Sequence, residues 1–361
     1  MAPDPVIVTD PAEITPAWLT EVLRAAGHDV TISAVTTEPV GTGQMAHNER
    51  FTLRYAGDPG DAPTTLVGKF PSPNAESRVA GAAGGYRNEV CFYNDLAEGL
   101  AVRTPHCWYG AVSDDGTEFT LVMEDLAPAR QGDQLAGCTP EQLLLAAENL
   151  AGLHAPRWCD PRLRDLDWMA GSKGDQAVMI VQIFTPMFIA RYADRLTPAT
   201  VRVLEAFGAG VEQWFDAEPD RFTVMHGDYR LDNLMFNDDV LPNGRHPDPV
   251  AAVDWQTVSV ASGGRDLAYL LGNSVEPAVR REAEADVRAA YLARLAGLGV
   301  SGYSPDDVVA DERHGSFQGP FITMLGAIAV GRTDRGDDMF VAMAERSAAQ
   351  ILDLDALDLL T

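Results

Sequence analysis

The stretch His226-Gly227-Asp228-Tyr229-Arg230-Leu231-Asp232-Asn233, followed after a turn-rich loop by Val253-Asp254-Trp255-Gln256, decides how this chain reads. An aspartate with an asparagine five positions later puts two oxygen-bearing side chains on one loop. The first can orient a hydroxyl and the second can ligate a hard cation. A further aspartate at the end of a neighbouring strand-like run completes an oxygen set suited to Mg²⁺. Phosphoryl transfer asks for these groups and for cations on the phosphates, and for little covalent help. Asp228 therefore reads as the catalytic carboxylate, with Asn233 and Asp254 as metal ligands. Taken alone the loop could be a surface turn, where Asp and Asn are common. The second aspartate and the apolar runs beside both argue against that.

Outward from this core, Asn233 to Phe236 and Val250 to Trp255 are short β-like runs separated by a segment dense in turn residues. The rest of the chain beyond Ala127 is helical in pattern, near Pro140 to His154, Val178 to Leu196, Ala199 to Trp214, Ala278 to Leu295 and Asp338 to Leu352. The first third differs. Thr15 reads as an N-cap with Pro16 at the first helical position and Gly27 as the stop. From Val30 to Phe70, short alternating runs such as Phe51, Leu53 and Tyr55 predict a small antiparallel sheet. Tyr86, Val90, Tyr93 and Ala97 predict a helix near Gly85 to Leu96, and Thr117 to Glu124 a further strand. A chain of 361 residues with 46% apolar content exceeds one core. The prediction is an α+β protein of two lobes, residues 1–126 with the sheet and 127–361 mainly helical.

HGDYRLDNLMF with VDWQ, and then Gly264-Arg265-Asp266-Leu267-Ala268-Tyr269-Leu270-Leu271, resembles the aminoglycoside phosphotransferase and choline kinase-like superfamily, and most of all the bacterial phosphotransferases related to ecdysteroid kinases. The resemblance implies a bilobal protein-kinase-like fold and a small-molecule O-kinase using ATP, with GTP not excluded, and Mg²⁺. It places the catalytic base at Asp228, metal ligands at Asn233 and Asp254, and a structural acid at Asp266. His226 would then brace the loop, with general base as the other possibility. Arg230 would contact a phosphate or anchor a carboxylate, and Asp232 would cap or face solvent.

The same resemblance implies a strand lysine for the phosphates and a helix carboxylate to hold it. Lys69, in Thr64-Thr65-Leu66-Val67-Gly68-Lys69-Phe70, fits the first role. Glu89 fits the second, with Glu76 and Glu98 as rivals. Gly41 and Gly43 would turn over the phosphates, where missing side chains let N–H groups approach oxygen. Met123, Glu124 and Leu126 would offer adenine a hinge. Acceptor-binding segments would be Arg130 to Gly137, Trp168 to Met187 and His314 to Gly331. There Trp168, Phe184, Met187, Phe317, Phe321 and Met324 suggest a bulky, partly apolar alcohol, unless they are core. The acidic balance suggests an amine-bearing antibiotic instead.

The formal charge of −26 argues against nucleic acid, whose binding needs Lys and Arg on the phosphates. No signal-like N-terminus is visible, and the uncharged run Ser316 to Gly331 falls short of the roughly 20 apolar residues that span a bilayer. A cytoplasmic protein with no membrane partner is expected. Cys91, Cys107, Cys138 and Cys159 lack metal-ligand spacing and read as reduced, mostly buried side chains. Two other functions remain open. A kinase-fold binding protein without turnover would keep every motif residue. A protein kinase would need an activation segment and an APE-like motif after Asp254, and neither is present.

Overall fold

A computed structural model of the chain describes residues 6–41, 45–169, 174–237 and 246–361. The chain folds as two compact units, Met1–Glu98 with Thr104–Pro128 and Gly99–Arg103 with Ala129–Thr361. Among the described residues, no helix is long and apolar enough to cross a membrane.

The first unit is built on five strands, β1 (Ile32–Pro39), β2 (Ala46–Tyr55), β3 (Thr65–Pro71), β4 (Cys107–Val112) and β5 (Phe119–Glu124). They form one antiparallel sheet in the order β1-β2-β3-β5-β4. Helix α1 (Pro16–Ala25) begins as the sequence predicts, with the Thr15 hydroxyl accepting from the Trp18 N–H. Its apolar stripe, Trp18, Leu19, Val22 and Leu23, is buried with Phe51, Leu53, Leu66 and Phe70. The predicted helix near 85–96 starts earlier, at α2 (Ala75–Ala80), capped by Asn74 Oδ1 on the Ser77 N–H. It continues through a π-turn into α3 (Tyr86–Cys91). Of the glycines that hid this start from the sequence pattern, Gly81 serves packing. A Cβ at Gly81 would lie 2.3 Å from the Tyr86 ring, and the chain breaks helical geometry only at Gly84.

The second unit contains α4 (Pro140–His154), α5 (Gly174–Arg191), α6 (Pro198–Asp216), α7 (Gly263–Ser274), α8 (Pro277–Gly297), α9 (Pro305–Gly315), α10 (Gln318–Ala329) and α11 (Asp334–Asp353). Its short strands are β6 (Arg130–Gln131), β7 (Thr223–Met225), β8 (Leu234–Phe236), β9 (Val250–Ala252) and β10 (Ser259–Ala261). They form the antiparallel sheets β6-β8-β9 and β10-β7. A core of Phe188, Val203, Phe207, Val211, Trp214, Phe317, Met324, Met343 and Ile351 holds α5, α6, α10 and α11 together. Phe317 and Met324, candidates for the acceptor pocket, are thus core residues, while Met187 is exposed. The cysteines also depart from expectation. All four are free thiols, and the departure is Cys159, which is exposed; Cys91, Cys107 and Cys138 are largely covered.

Candidate active site

In the second unit β7 runs directly into His226-Gly227-Asp228, and every backbone polar group at its end is held by a side chain. Asp266, fully buried at the start of α7, accepts the N–H of His226 at 2.6 Å and of Gly227 at 2.9 Å. The His226 carbonyl accepts from the Thr257 hydroxyl at 2.8 Å, and the Gly227 carbonyl from Gln318 Nε2 at 2.8 Å. Gly227 has φ +84, and a Cβ there would meet the Thr257 carbonyl oxygen at 2.6 Å. Only glycine suits both conditions. The Asp228 N–H donates to His226 Nδ1. The proton therefore sits on Nε2, which lies 3.1 Å from the Val253 carbonyl and donates to it. His226 is a brace between the loop and the strand end that carries Asp254.

The Asp228 carboxylate is ringed by donors. Arg230 Nε lies 3.1 Å from each oxygen, the Tyr269 hydroxyl donates to Oδ1 at 2.6 Å, and Asn233 Nδ2 donates to Oδ2 at 2.9 Å. Burial pushes the Tyr269 phenol well above its ordinary range and the adjacent Asp228 charge adds to this, so it stays a donor. Burial works against the charge on Arg230, but the Asp228 and Asp232 carboxylates outweigh it and the guanidinium stays protonated. Arg230 also reaches Asp232 at 3.0 Å, and Arg335 grips both Asp232 oxygens at 3.0 and 3.1 Å. Burial opposes the Asp232 charge, yet the Arg335 hydrogen bond and the Arg230 charge hold its pKa below the ordinary carboxylate value. Asp232 is therefore a buried link in an ion chain, where a cap or a solvated residue was expected.

The metal-ligand candidates come together through strand pairing. Leu234 pairs with Ala252 across β8 and β9, and the Val253 N–H donates to the Asn233 carbonyl at 3.0 Å. Asp254 follows two residues beyond β9 with φ +67, a left-handed conformation that costs a non-glycine residue about 1–2 kcal/mol. Asn233 commits its Nδ2 to the backbone and side chain of Asp228, which leaves Oδ1 as the atom for a cation. Among the described residues no three His, Cys, Asp or Glu side chains converge as a metal cage. Mg²⁺ does not need one. It is commonly held by one or two protein oxygens with phosphate and water completing the octahedron. Asn233 and Asp254 fit that donor set.

In the first unit Lys69 Nζ lies 2.8 Å from Glu89 Oε1 and 2.6 Å from Oε2, with the lysine 5% and the glutamate 1% exposed. Glu76 and Glu98, the rivals, face solvent. Val67 pairs with Met123 and Lys69 with Leu121, so the buried Met123 shares the sheet face of Lys69. The N–H and carboxylate of Glu124 are both engaged by the His106 backbone. The Leu126 N–H finds no acceptor among the described residues. Gly41 has φ +79 just beyond β1, whereas Gly43 lies outside the described residues.

Comparison with known proteins agrees with this architecture. The aminoglycoside 2'-phosphotransferase IIIa in its GDP complex superposes with a TM-score of 0.55, at 15% identity over 93% of this chain and 100% of that one. Choline kinase from Cryptosporidium parvum Iowa II gives 0.52, at 11% identity over 94% and 92%. The chain has the fold of the kinase-like phosphotransferases. The model of the ecdysteroid kinase-like family matches residues 179–298, which include the loop from His226 to Asn233, Asp254 and Asp266. The resemblance noted in the sequence is borne out. No curated protein matches the chain.

Several groups that shape this candidate site carried no signal that the sequence pattern picked out. Tyr269 is the clearest. It lies three residues after Asp266 on one helix, a spacing that puts both on one face, and the two reach adjacent parts of the same loop. Gln318, Thr257, Gln134 and Arg335 come from distant segments and carried no local signal.

Proposed function

We propose that this protein transfers the γ-phosphoryl group of ATP, as its Mg²⁺ complex, to a hydroxyl of a small molecule. Asp228 orients the acceptor hydroxyl and draws on its proton, Asn233 and Asp254 hold the metal through oxygen, and Lys69, fixed by Glu89, contacts the α- and β-phosphates. Bound there, Mg²⁺ would neutralise charge on the phosphates as the bond to the leaving oxygen lengthens. The observation that carries the reading is the joined set of Asp228, Asn233 and Asp254. Asn233 bonds the Asp228 carboxylate at 2.9 Å and Asp254 follows just beyond β9, so a positioning carboxylate and two oxygen ligands lie on adjoining segments, the kind of set that metal-assisted phosphoryl transfer uses.

For the acceptor, the matching family name and the stripe Met179, Ile183 and Met187, exposed at four-residue spacing on α5, support a bulky, partly apolar alcohol. Aminoglycosides and choline, named for the structural neighbours, are cationic alternatives. The test is a mass-spectrometric search for phosphorylated products from Mg²⁺-ATP or Mg²⁺-GTP with sterols, terpenoids, macrocycles, aminoglycosides and amino alcohols, run beside Asp228→Ala. Product formed only by the intact protein supports the reading and identifies the acceptor class. Equal product from Asp228→Ala refutes the catalytic assignment. Mg²⁺-nucleotide binding with no transfer across the panel favours a binding protein.

A further inference from the structure

An ionised carboxylate has about four sites at which it can accept a hydrogen bond, and in this structure all four at Asp228 are in use. Tyr269 and Arg230 fill Oδ1; Asn233 and Arg230 fill Oδ2. An acceptor hydroxyl that uses Asp228 must therefore displace a donor already there. Two of the three are poorly able to leave. The Tyr269 ring is fully buried on α7, and Asn233 is bound to the Asp228 carbonyl as well as to its side chain, with its own backbone paired to Val253. Arg230 is different. Its Nε alone spans the two oxygens at 3.1 Å, so one movement frees a site on each, and its Nη1 already has a second anchor on Asp232.

A guanidinium with little solvent access cannot leave a carboxylate without another anion to receive it. Asp232 cannot take the whole group, because Arg335 already holds both of its oxygens. On the proposed function, the missing anion is the nucleotide. A metal held by Asn233 and Asp254 would bring phosphate oxygens next to Asp228, since Asn233 touches that carboxylate directly.

We propose that Arg230 is a latch on Asp228, which closes the carboxylate to the acceptor until the phosphates of the Mg²⁺-nucleotide draw the guanidinium away. Nucleotide then binds before acceptor, and in the free protein the Asp228 carboxylate, although 18% exposed, has its hydrogen-bonding sites taken and offers none to an alcohol. This inference rests on the proposed nucleotide site.

The test is a double-mutant cycle read by binding, which needs no acceptor. The affinity of Mg²⁺-AMP-PNP is measured by calorimetry for the wild type, Asp228→Asn, Arg230→Met and the double variant, with adenosine as a probe lacking phosphates. If Arg230 must leave Asp228 to meet the phosphates, Asp228→Asn tightens binding about tenfold when Arg230 is present and much less when it is methionine, a coupling of the size seen for contacting charges. Arg230→Met alone weakens Mg²⁺-AMP-PNP and leaves adenosine unchanged. In parallel, the Arg230 Nε–H resonance, assigned by its loss in Arg230→Met, shifts on addition of Mg²⁺-AMP-PNP and not of adenosine. Additive effects of the two substitutions, or an Nε–H signal unmoved at saturating nucleotide, overturn the latch while leaving the nucleotide site intact. No Mg²⁺-AMP-PNP binding by any of the four proteins overturns the nucleotide site and the latch with it.

Discussion

Replacing Gly227 by alanine tests whether the turn before Asp228 is as tightly determined as its geometry says. Two costs add. At φ +84 an alanine loses about 1–2 kcal/mol relative to the right-handed regions. Its Cβ would also stand 2.6 Å from the Thr257 carbonyl, a contact with backbone that forces a shift worth about 1–3 kcal/mol. The sum, about 2–5 kcal/mol, corresponds to a fall of roughly 5–15 °C in the melting transition of a unit this size. Gly302→Ala is the control. It has φ +73 with nothing within 4 Å of the added methyl, so it carries the dihedral cost alone. The assay is differential scanning calorimetry of the three proteins, with phosphotransfer measured on the same samples below their transitions. Gly227→Ala should melt several degrees below Gly302→Ala and lose most of its activity, because Asp266 and Gln318 hold the same peptide groups that must move. Equal melting temperatures for the two variants would refute the argument that the Thr257 contact constrains the loop.

Asp254→Gly should be more stable than Asp254→Ala by about 1 kcal/mol, because both lose the carboxylate and only glycine accepts φ +67 freely; denaturant midpoints that match would remove the case for strain. Lys69→Met should destabilise the protein by about 3–5 kcal/mol by leaving Glu89 buried without its cation, and Lys69→Met/Glu89→Leu should recover much of that loss in the same unfolding assay. Lys69→Arg should abolish tight Mg²⁺-AMP-PNP binding in calorimetry although it keeps the charge. Of the four thiols, Cys159 alone should react quickly with a thiol reagent at pH 8, since burial pushes the Cys107 and Cys138 thiols up to about 12 and raises Cys91; fast labelling of two or more in the folded protein would contradict this.

What the sequence could say about this site depended on how local each contact is. Asp228, Asn233 and Asp254 are legible because a five-residue spacing and a strand end bring them together, and chain neighbours fix both. Lys69 and Glu89 were reachable through the resemblance, which calls for a strand lysine and a helix carboxylate, and through the scarcity of lysine in the chain. The braces were not. Gln318 reaches Gly227 from 91 residues away and Gln134 reaches Leu231 from 97, and glutamines in helices or loops look alike whether they hold a catalytic loop or water. Asp232 was misread for the same reason. Beside an asparagine it has the look of a turn residue, and two of the partners that bury it, Gln134 and Arg335, are 98 and 103 residues distant. The early start of the second helical run was hidden by Gly81, a residue that normally argues against helix and is needed there by the Tyr86 ring.

The choice of cation gives the two units a common logic. The chain has 27 basic residues, and only Lys69 and Lys173 among them are lysine. Where this protein holds a carboxylate in place it uses arginine, as at Asp228, Asp232, Asp311 and Glu312. A planar fork matched to a carboxylate loses less freedom per bond formed and stays charged when buried. At residue 69 that preference is broken, in a site 5% exposed where the partner is again a carboxylate. If holding Glu89 were the whole task, arginine would be the expected residue. An ammonium differs in being a compact point charge with three rotatable donors, which suits a group that serves more than one anion. In a protein of charge −26 a polyphosphate meets a repulsive field at long range, and its affinity has to come from a few cations set against it at short range. On the proposed function, Lys69 in the sheet of one unit and Arg230 on the candidate catalytic carboxylate of the other are two cations whose chemistry suits that work.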